Sequence, residues 1–172
     1  ILNFDNTIGR DLSQLPDGVY DGEIMGEDFT ALMRQAYRKE SVDTSNTYLA
    51  LFDFITLEEW RSKSSSTTTD TRYNLLIENV TGLKVTSMGM ASYKSKFDYV
   101  KIVERKYIRS EHEVIQRIHD EYVKQGYEGA MIKDPVEPYH FKRDWAVMKY
   151  KDFFDADVVI KECLEGTGKH SG

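Results

Sequence analysis

Apolar residues recur at helical spacing in three parts of the chain. Within residues 29–37 they follow the i, i+3, i+4, i+7 pattern of an amphipathic helix. Residues 70–80 place their apolar side chains on one helix face in the same way. Ser110 and Glu113 have the spacing of an S-x-x-E capping box, and a third apolar helix face follows them. The pattern therefore predicts three helices, the last of which ends at Gly126.

Runs of apolar and β-branched residues predict the strands. The predicted strands span residues 19–25, 47–55, 99–107, 129–133, 145–151 and 156–162. The run 47–55 is almost continuously apolar, which is typical of a buried central strand, yet it contains Asp53. A buried strand rarely tolerates an idle carboxylate, and this sets Asp53 apart from the other acidic residues.

Helices and strands are mixed along the chain without regular alternation. This order predicts an α+β fold with two antiparallel or mixed sheets flanked by helices, and not a parallel doubly wound sheet. Residues 62–71 carry Ser or Thr at most positions, which predicts a mobile connector. Residues 104–106 alternate in charge and are expected to form a solvated face.

Composition narrows the class of protein. The hydrophobic fraction of 40% in 172 residues suffices for a buried core. No apolar run approaches the roughly 18 residues of a membrane span, so we expect a cytoplasmic protein without a membrane partner. Cys163 is the only cysteine, which excludes an internal disulfide. The formal charge of −6 argues against nucleic-acid binding through bulk positive charge, so any DNA contact must use local basic patches or segments missing from this sequence.

Two carboxylate positions are candidates for chemistry. Asp21 and Glu23 stand two apart on a predicted strand, so both side chains project from one face. Glu128 and Gly129 open the predicted strand that Lys133 closes, and the glycine allows close approach of a backbone or a ligand. The simpler alternatives are a solvated sheet face for the first pair and an ordinary turn for the second.

One aromatic and two basic positions complete the set. Lys149 and Lys151 share a strand face, roughly 7 Å apart, and such cations repel unless an anion lies between them. A phosphate is the natural anion, although lysines that protect an exposed sheet edge are equally consistent. Phe52, beside Asp53, is either a core residue or a platform for a base.

These positions occur in a recognisable order. The segments V-Y-D-G-E-I, A-L-F-D-F, Y-E-G-A-M-I-K and W-A-V-M-K-Y-K resemble successive motifs of the covalent nucleotidyltransferase superfamily. The E-G start of the third segment is similar to that of ATP-dependent DNA ligases, and the short loops resemble those of phage and other small ligases. The resemblance extends from about Gly18 to Lys169, since the tail D-A-D-V-V-I-K-E-C-L-E-G-T-G-K-H-S-G resembles the opening of the OB domain of these enzymes.

The resemblance implies a fold and an activity. The fold would be an ATP-grasp-like nucleotidyltransferase core over residues 1–153, with the start of an OB-fold β-barrel at 154–172. ATP and Mg²⁺ would be the cofactors, a lysine of a K-x-D-G motif would take up AMP, and a monomer would join nicked double-stranded DNA through a DNA-adenylate. The alternatives are an RNA ligase, a capping-type enzyme or a non-catalytic nucleic-acid-binding relative.

The resemblance also implies residue roles. Phe52 would stack on adenine, and Glu23 and Glu128 would act catalytically at the Mg²⁺ ion. Lys149 and Lys151 would grip the α-phosphate as catalytic and cofactor-binding residues. Lys133 and Arg143 would complete the cofactor-binding set, because Lys133 closes the third of these segments and Arg143 precedes the last one.

The sequence departs from the family pattern in two respects, because the printed residues include neither a K-x-D-G motif nor the rest of the OB domain. No K-x-D-G occurs in residues 1–172, so the residue that would carry AMP is missing from the printed sequence. We therefore expect this chain to be a fragment of a longer ligase and to be inactive alone in self-adenylylation.

Overall fold

A computed structural model describes residues 2–39, 42–85 and 93–166. Residues 167–172 lie outside the described residues. They include Lys169, the last residue of the family resemblance. Within the described chain, no helix combines the length and the apolar character that a bilayer crossing requires.

The first sheet contains three strands in the order β1-β2-β3. They are β1 (Val19–Met25), β2 (Tyr48–Ile55) and β3 (Val100–Ile102). β1 runs antiparallel to β2, and β3 runs parallel to it, so the sheet is mixed as predicted. The predicted strand 99–107 is too long, because beyond Val103 the chain reaches β2 through a side chain, Arg105, which donates to the Phe52 carbonyl.

Five helices accompany the sheets in the described residues. They are α1 (Arg10–Leu12), α2 (Phe29–Tyr37), α3 (Leu57–Ser62), α4 (Thr69–Thr81) and α5 (His112–Lys124), and α1 follows a 3-10 turn and a π-helical turn over Leu2–Phe4 and Asp5–Gly9. The predictions of α2 and α4 are confirmed. The main core lies between α4 and the first sheet, where Leu76, Ile77 and Val80 pack with Leu51 and Val100.

The predicted capping box of α5 is wrong, although the helix itself is confirmed. Its N-cap is Glu111, which makes no side-chain capping bond. The box requires a carboxylate or an amide three residues after the cap, and from Glu111 that residue is Val114. A complete box is instead formed at α3, where Thr56 and Glu59 bond each other's backbone N–H groups.

The second sheet is an antiparallel pair, β4 (Gly129–Lys133) and β5 (Val147–Lys151). The prediction of a strand from residue 145 is two residues too long at its start, since Trp145 is 86% exposed. α5 covers one face of this pair, where the Tyr150 hydroxyl donates to Gln116 Oε1 at 2.6 Å and the Tyr150 ring contacts the His119 ring edge to face.

The predicted strand 156–162 is not formed. Residues 152–166 contain no strand, and the apolar side chains of Phe153, Phe154, Val158, Val159 and Ile160 are more than three-quarters exposed. A strand needs a hydrogen-bonding neighbour, and the described residues supply none to this segment. The structure likewise contains no closed barrel among these residues.

Gly129 is required by the close approach of β5. Its φ is +152°, and an added Cβ would lie 3.0 Å from Lys151 Cα and closer still to the Tyr150 carbonyl oxygen. We expect Gly129→Ala to lower the free energy of unfolding by about 1–3 kcal/mol, because the backbone strain and the clash add. Gly126→Ala is the control, since Gly126 also has a positive φ but nothing lies within 4 Å of its Cβ position. Equal urea midpoints for the two variants would contradict this.

Candidate functional site

A β-bulge at Phe52 determines which side chains of β2 lie on the face of the first sheet that is turned toward β4. Asp21 pairs with Asp53 and Gly22 pairs with Leu51, so Phe52 has no partner on β1. The extra residue shifts the side-chain alternation of β2. Leu51 and Phe54 therefore both reach the core, while Asp53 lies on the face that meets the second sheet.

Asp53 is the anchor of this region. Its carboxylate accepts hydrogen bonds from Arg72 Nε at 2.8 Å, from Arg72 Nη2 at 3.2 Å and from Lys133 Nζ at 2.9 Å. Asp53 and Arg72 are each only 2% exposed. Burial raises the pKa of Asp53, but hydrogen bonds and charge from Arg72 and Lys133 outweigh it and hold the pKa below its usual value. The ion pair thus joins β2, α4 and β4.

Lys133 lies between the ion pair and Phe52. Its Nζ is 5.3 Å from the centroid of the Phe52 ring and 3.5 Å from the Phe52 carbonyl oxygen. Burial lowers the pKa of Lys133 despite its bond to Asp53. Asp53 also binds Arg72. Its carboxylate therefore does not offset both the desolvation of the Lys133 ammonium group and the repulsion from the guanidinium groups of Arg72 and Arg105.

Arg105 adds a further cation, which the sequence did not reveal. Its guanidinium lies 4.0 Å from the centroid of the Tyr73 ring and donates to the carbonyls of Phe52 and Thr69. The expectation that 104–106 form a solvated face is therefore wrong for Arg105. Arg72, Lys133 and Arg105 thus bring three cations to a region that also holds Asp53, Asp21 and Asp70, and Lys133 is the one beside the Phe52 ring.

Asp21 and Glu23 differ more than their spacing suggested. Asp21 is half-buried opposite Asp53, and burial raises its pKa while the charge of Lys133 opposes the rise. Glu23, on the same face of β1 and opposite Ala50, is exposed. The spacing singled out both residues and the family resemblance gave a role to Glu23 alone, yet Asp21 is the one whose pKa responds to the charge of Lys133.

The face of the second sheet that carries Lys133 also carries the two candidate lysines. Lys149 pairs with Met131 and Lys151 with Gly129, and directly opposed residues of an antiparallel pair share a face. Lys133 bonds Asp53 from this face, so the lysine face is turned toward the first sheet. Both Lys149 and Lys151 are exposed.

The remaining candidates lie at the margin of this region. Glu128 directly precedes β4, and Arg143 lies in the loop between β4 and β5; both are exposed. In the described part of the chain, no hydrogen bond or ion pair engages the side chains of Glu23, Glu128, Arg143, Lys149 or Lys151. The described part of the chain also contains no cluster of three or more His, Cys, Asp or Glu that could hold a metal ion.

The Ser/Thr-rich segment 62–71 is ordered by Glu59, and its prediction as a mobile connector is wrong. Glu59 Oε1 accepts hydrogen bonds from Ser65 at 2.7 Å and Thr67 at 2.6 Å, while Oε2 accepts from the Thr56 hydroxyl at 2.9 Å. Burial raises the pKa of Glu59, but these bonds more than offset it and lower the pKa to about 2. The segment therefore leads into α4 along a fixed path.

Glu59 should make stability depend on pH. Its pKa falls from an ordinary 4.5 to about 2 on folding, so its contribution is complete above pH 4.5 and is lost as the pH falls toward 2. We expect Glu59→Gln to reduce the urea midpoint at pH 7 and to approach the parent protein near pH 2. Glu58→Gln is the control, because Glu58 has no such bonds among the described side chains. A constant difference from pH 7 to pH 2 would count against this role.

Comparison with known proteins places this geometry in a family context. Residues 11–151 match the model of the ATP dependent DNA ligase domain. Two solved structures, named "Pmar-Lig_Pre." and "Pmar-Lig_PreS3", are each 29% identical in sequence, with TM-scores of 0.66 and 0.67. Each alignment covers 99% of this chain and 38% of the solved chain, so the chain spans well under half of their length. A comparison with curated protein sequences found no match.

Proposed function

The chain belongs to the ATP dependent DNA ligase domain family, and from this premise we propose that it forms the ATP-binding part of an enzyme that joins nicks in duplex DNA. One observation carries the proposal. Phe52 and Lys133, which come from different sheets, meet above the buried pair of Asp53 and Arg72. An aromatic face with an ammonium group beside it suits the base of a nucleoside triphosphate.

Phe52 would provide the stacking face for adenine. The bulge sets its ring apart from the core residues Leu51 and Phe54, and the ring stays half-buried. Lys133 Nζ lies beside the ring, where one of its three N–H groups remains after the contacts with Asp53 and the Phe52 carbonyl. That donor would bind the base or the sugar of ATP.

Lys149 and Lys151 would bind the α-phosphate. Their ammonium groups share one exposed strand face and have no partner among the described residues. Two ammonium groups that are already in position would stabilise the negative charge on the oxygen atoms of the transferred phosphate. Arg143, exposed in the neighbouring loop, would add a planar guanidinium to the phosphate contacts.

Glu23 and Glu128 would hold Mg²⁺ together with the ATP phosphates. Mg²⁺ commonly uses one or two carboxylates plus substrate phosphates and water, which fits two exposed glutamates and the lack of a larger acidic cluster among the described residues. When bound, the ion would offset phosphate charge. Asp21, two residues before Glu23 on the same face of β1, would add negative charge near Lys133 without bonding to it.

We extend the proposal to domain organisation. Residues 1–153 would belong to the nucleotide-binding domain, and 154–172 would open an OB-fold domain. Because no K-x-D-G occurs in residues 1–172, the lysine that accepts AMP would come from another part of the enzyme. The isolated chain would then bind ATP without forming an AMP adduct.

Phe52→Leu separates stacking from simple burial. Leucine keeps apolar bulk but removes the aromatic face, so we expect the Kd for ATP to rise about 10-fold, the equivalent of about 1.4 kcal/mol. The free energy of unfolding should change by under about 1.5 kcal/mol, as for other hydrophobic exchanges of similar volume. Titration calorimetry and urea unfolding measure the two quantities. A large loss of stability with an unchanged Kd would assign Phe52 to the core alone.

The activity itself is tested on the complete gene product. It is incubated with Mg²⁺ and α-labelled ATP, and then with a nicked DNA duplex or the matching RNA nick. We expect label on the protein that transfers to the DNA 5′-phosphate and a sealed DNA strand. Sealing of the RNA nick alone would indicate an RNA ligase, and absence of any adduct would favour a non-catalytic relative.

A further inference from the structure

Arg72 differs from Phe52 and the lysines of this region, because it is buried and cannot touch a ligand directly. It is only 2% exposed, and it lies on α4, behind β2. Four hydrogen bonds engage its guanidinium, two to Asp53, one to the Thr67 carbonyl and one to the Thr69 hydroxyl. A bidentate guanidinium fixes the plane of a carboxylate, which a lysine in its place would not do.

Two contacts of Arg72, those with Asp53 and Tyr139, link it to the end of β4 and to the loop that follows. Through Asp53 it determines the position of the oxygen that holds Lys133 Nζ at 2.9 Å. Its guanidinium also lies 5.4 Å from the centroid of the Tyr139 ring, in the loop that follows β4. The same loop is bound to the start of α4, since the N–H groups of Thr69 and Asp70 donate to loop carbonyls at 2.9 and 3.0 Å.

We propose that Arg72 is a positioning residue for nucleotide binding, which acts through Asp53 to fix the Lys133 ammonium group beside the Phe52 ring. The inference rests on the proposed function, because it assumes that ATP is the ligand of this region. Lys133 has four rotatable bonds and one remaining donor. Only a fixed Asp53 oxygen keeps that donor in one place beside the ring.

Arg72→Lys is the test, and Leu76→Ala is its control. Lysine keeps the charge at position 72 and loses the bidentate geometry. Leu76 is one turn further along α4, is fully buried in the core and has no polar group that could bond to Asp53. Its truncation therefore destabilises the same helix without disturbing the Lys133 contact. Both variants of the 172-residue chain are studied below their unfolding temperature, with circular dichroism to confirm the folded state.

Two readouts separate positioning from stability. The first is the Kd for ATP, which we expect to rise about 10-fold in Arg72→Lys and to remain within 2-fold in Leu76→Ala. The second is the rate at which an amine-acetylating reagent modifies Lys133, relative to Lys149 in the same sample. This ratio should rise at least 3-fold in Arg72→Lys alone, because Lys133 is 14% exposed while it is held by Asp53.

The outcomes also distinguish this inference from the proposed function. A Lys133 ratio in Arg72→Lys that matches the Leu76→Ala value would overturn the positioning role, and so would an unchanged Kd for ATP. If the unaltered chain binds no ATP, the proposed function fails and the nucleotide part of the inference fails with it. The acetylation ratio would then still show whether Arg72 positions Lys133.

Discussion

Asp53→Asn is expected to lower the free energy of unfolding by about 3–5 kcal/mol, the cost of breaking a buried ion pair from one side. The substitution preserves the size of the side chain but leaves the Arg72 guanidinium without its counter-charge at a position that is 2% exposed. Lys133 loses its carboxylate partner at the same time. Urea unfolding at pH 7, monitored by circular dichroism, measures the loss.

Asp21→Asn is the matched control for this prediction. Asp21 is the cross-strand partner of Asp53, but it is half-buried and makes no ion pair within the described residues. We expect its substitution to change the free energy of unfolding by less than about 1 kcal/mol, as is usual for partly exposed sites. Similar losses for the two variants would mean that general strand packing, and not the ion pair, holds this region together.

Lys149→Ala in the complete enzyme is expected to reduce the rate of adenylylation by at least about 100-fold, the loss associated with removing one group that stabilises the transition state. The fold should remain intact, because Lys149 is exposed and bonds to no described residue. Exposed substitutions of this kind usually change stability by no more than about 0.5 kcal/mol. The rate is measured as formation of labelled enzyme-AMP at saturating ATP.

Lys124→Ala provides the control for charge alone. Lys124 is an exposed lysine at the end of α5, on the helix that covers the opposite face of the second sheet. Its removal changes the net charge by the same amount and should leave the rate unaltered. If both variants keep the parent rate, Lys149 does not contact the phosphate.

Much of the fold could be predicted because local patterns dominated. The stripe of residues 29–37 gave α2, and the apolar face of 70–80 gave α4 within one residue at each end. The second sheet followed from the short apolar runs that end in Lys133 and Lys151. In α4 the apolar face is buried as its spacing predicts. In α2 the same spacing gives the helix although Phe29 and Tyr37 stay exposed.

The failures occurred where distant contacts decide. The segment 62–71 was predicted to be a linker because Ser and Thr favour loops. Its Ser65 and Thr67 hydroxyl groups instead donate hydrogen bonds to the Glu59 carboxylate. The segment 156–162 has strand-forming residues but no strand beside it in the described chain. The composition of a segment does not show whether a distant residue accepts its hydrogen bonds or whether another strand lies beside it.

The candidate site was visible only in part. Glu23, Phe52, Lys149 and Lys151 were selected from spacing and from family resemblance, and their proposed roles remain predictions. Arg72 and Arg105 escaped notice, since a helix arginine and an arginine in an alternating charge run are ordinary on exposed surfaces. The idle carboxylate inside strand β2 was the signal that could have led to Arg72, because a buried Asp53 demands a cation.

In the proposed complex ATP lies between Phe52 and the lysine-bearing face of β5, and photolabelling locates the bound nucleotide. The 172-residue chain is irradiated with 8-azido-ATP, with and without excess ATP, and the modified peptides are identified by mass spectrometry. We expect labelling in β2 or β4, close to Phe52 and Lys133, and we expect excess ATP to suppress it. Labelling that ATP suppresses on α2 or the 152–166 segment, with none on β2 or β4, would contradict this placement.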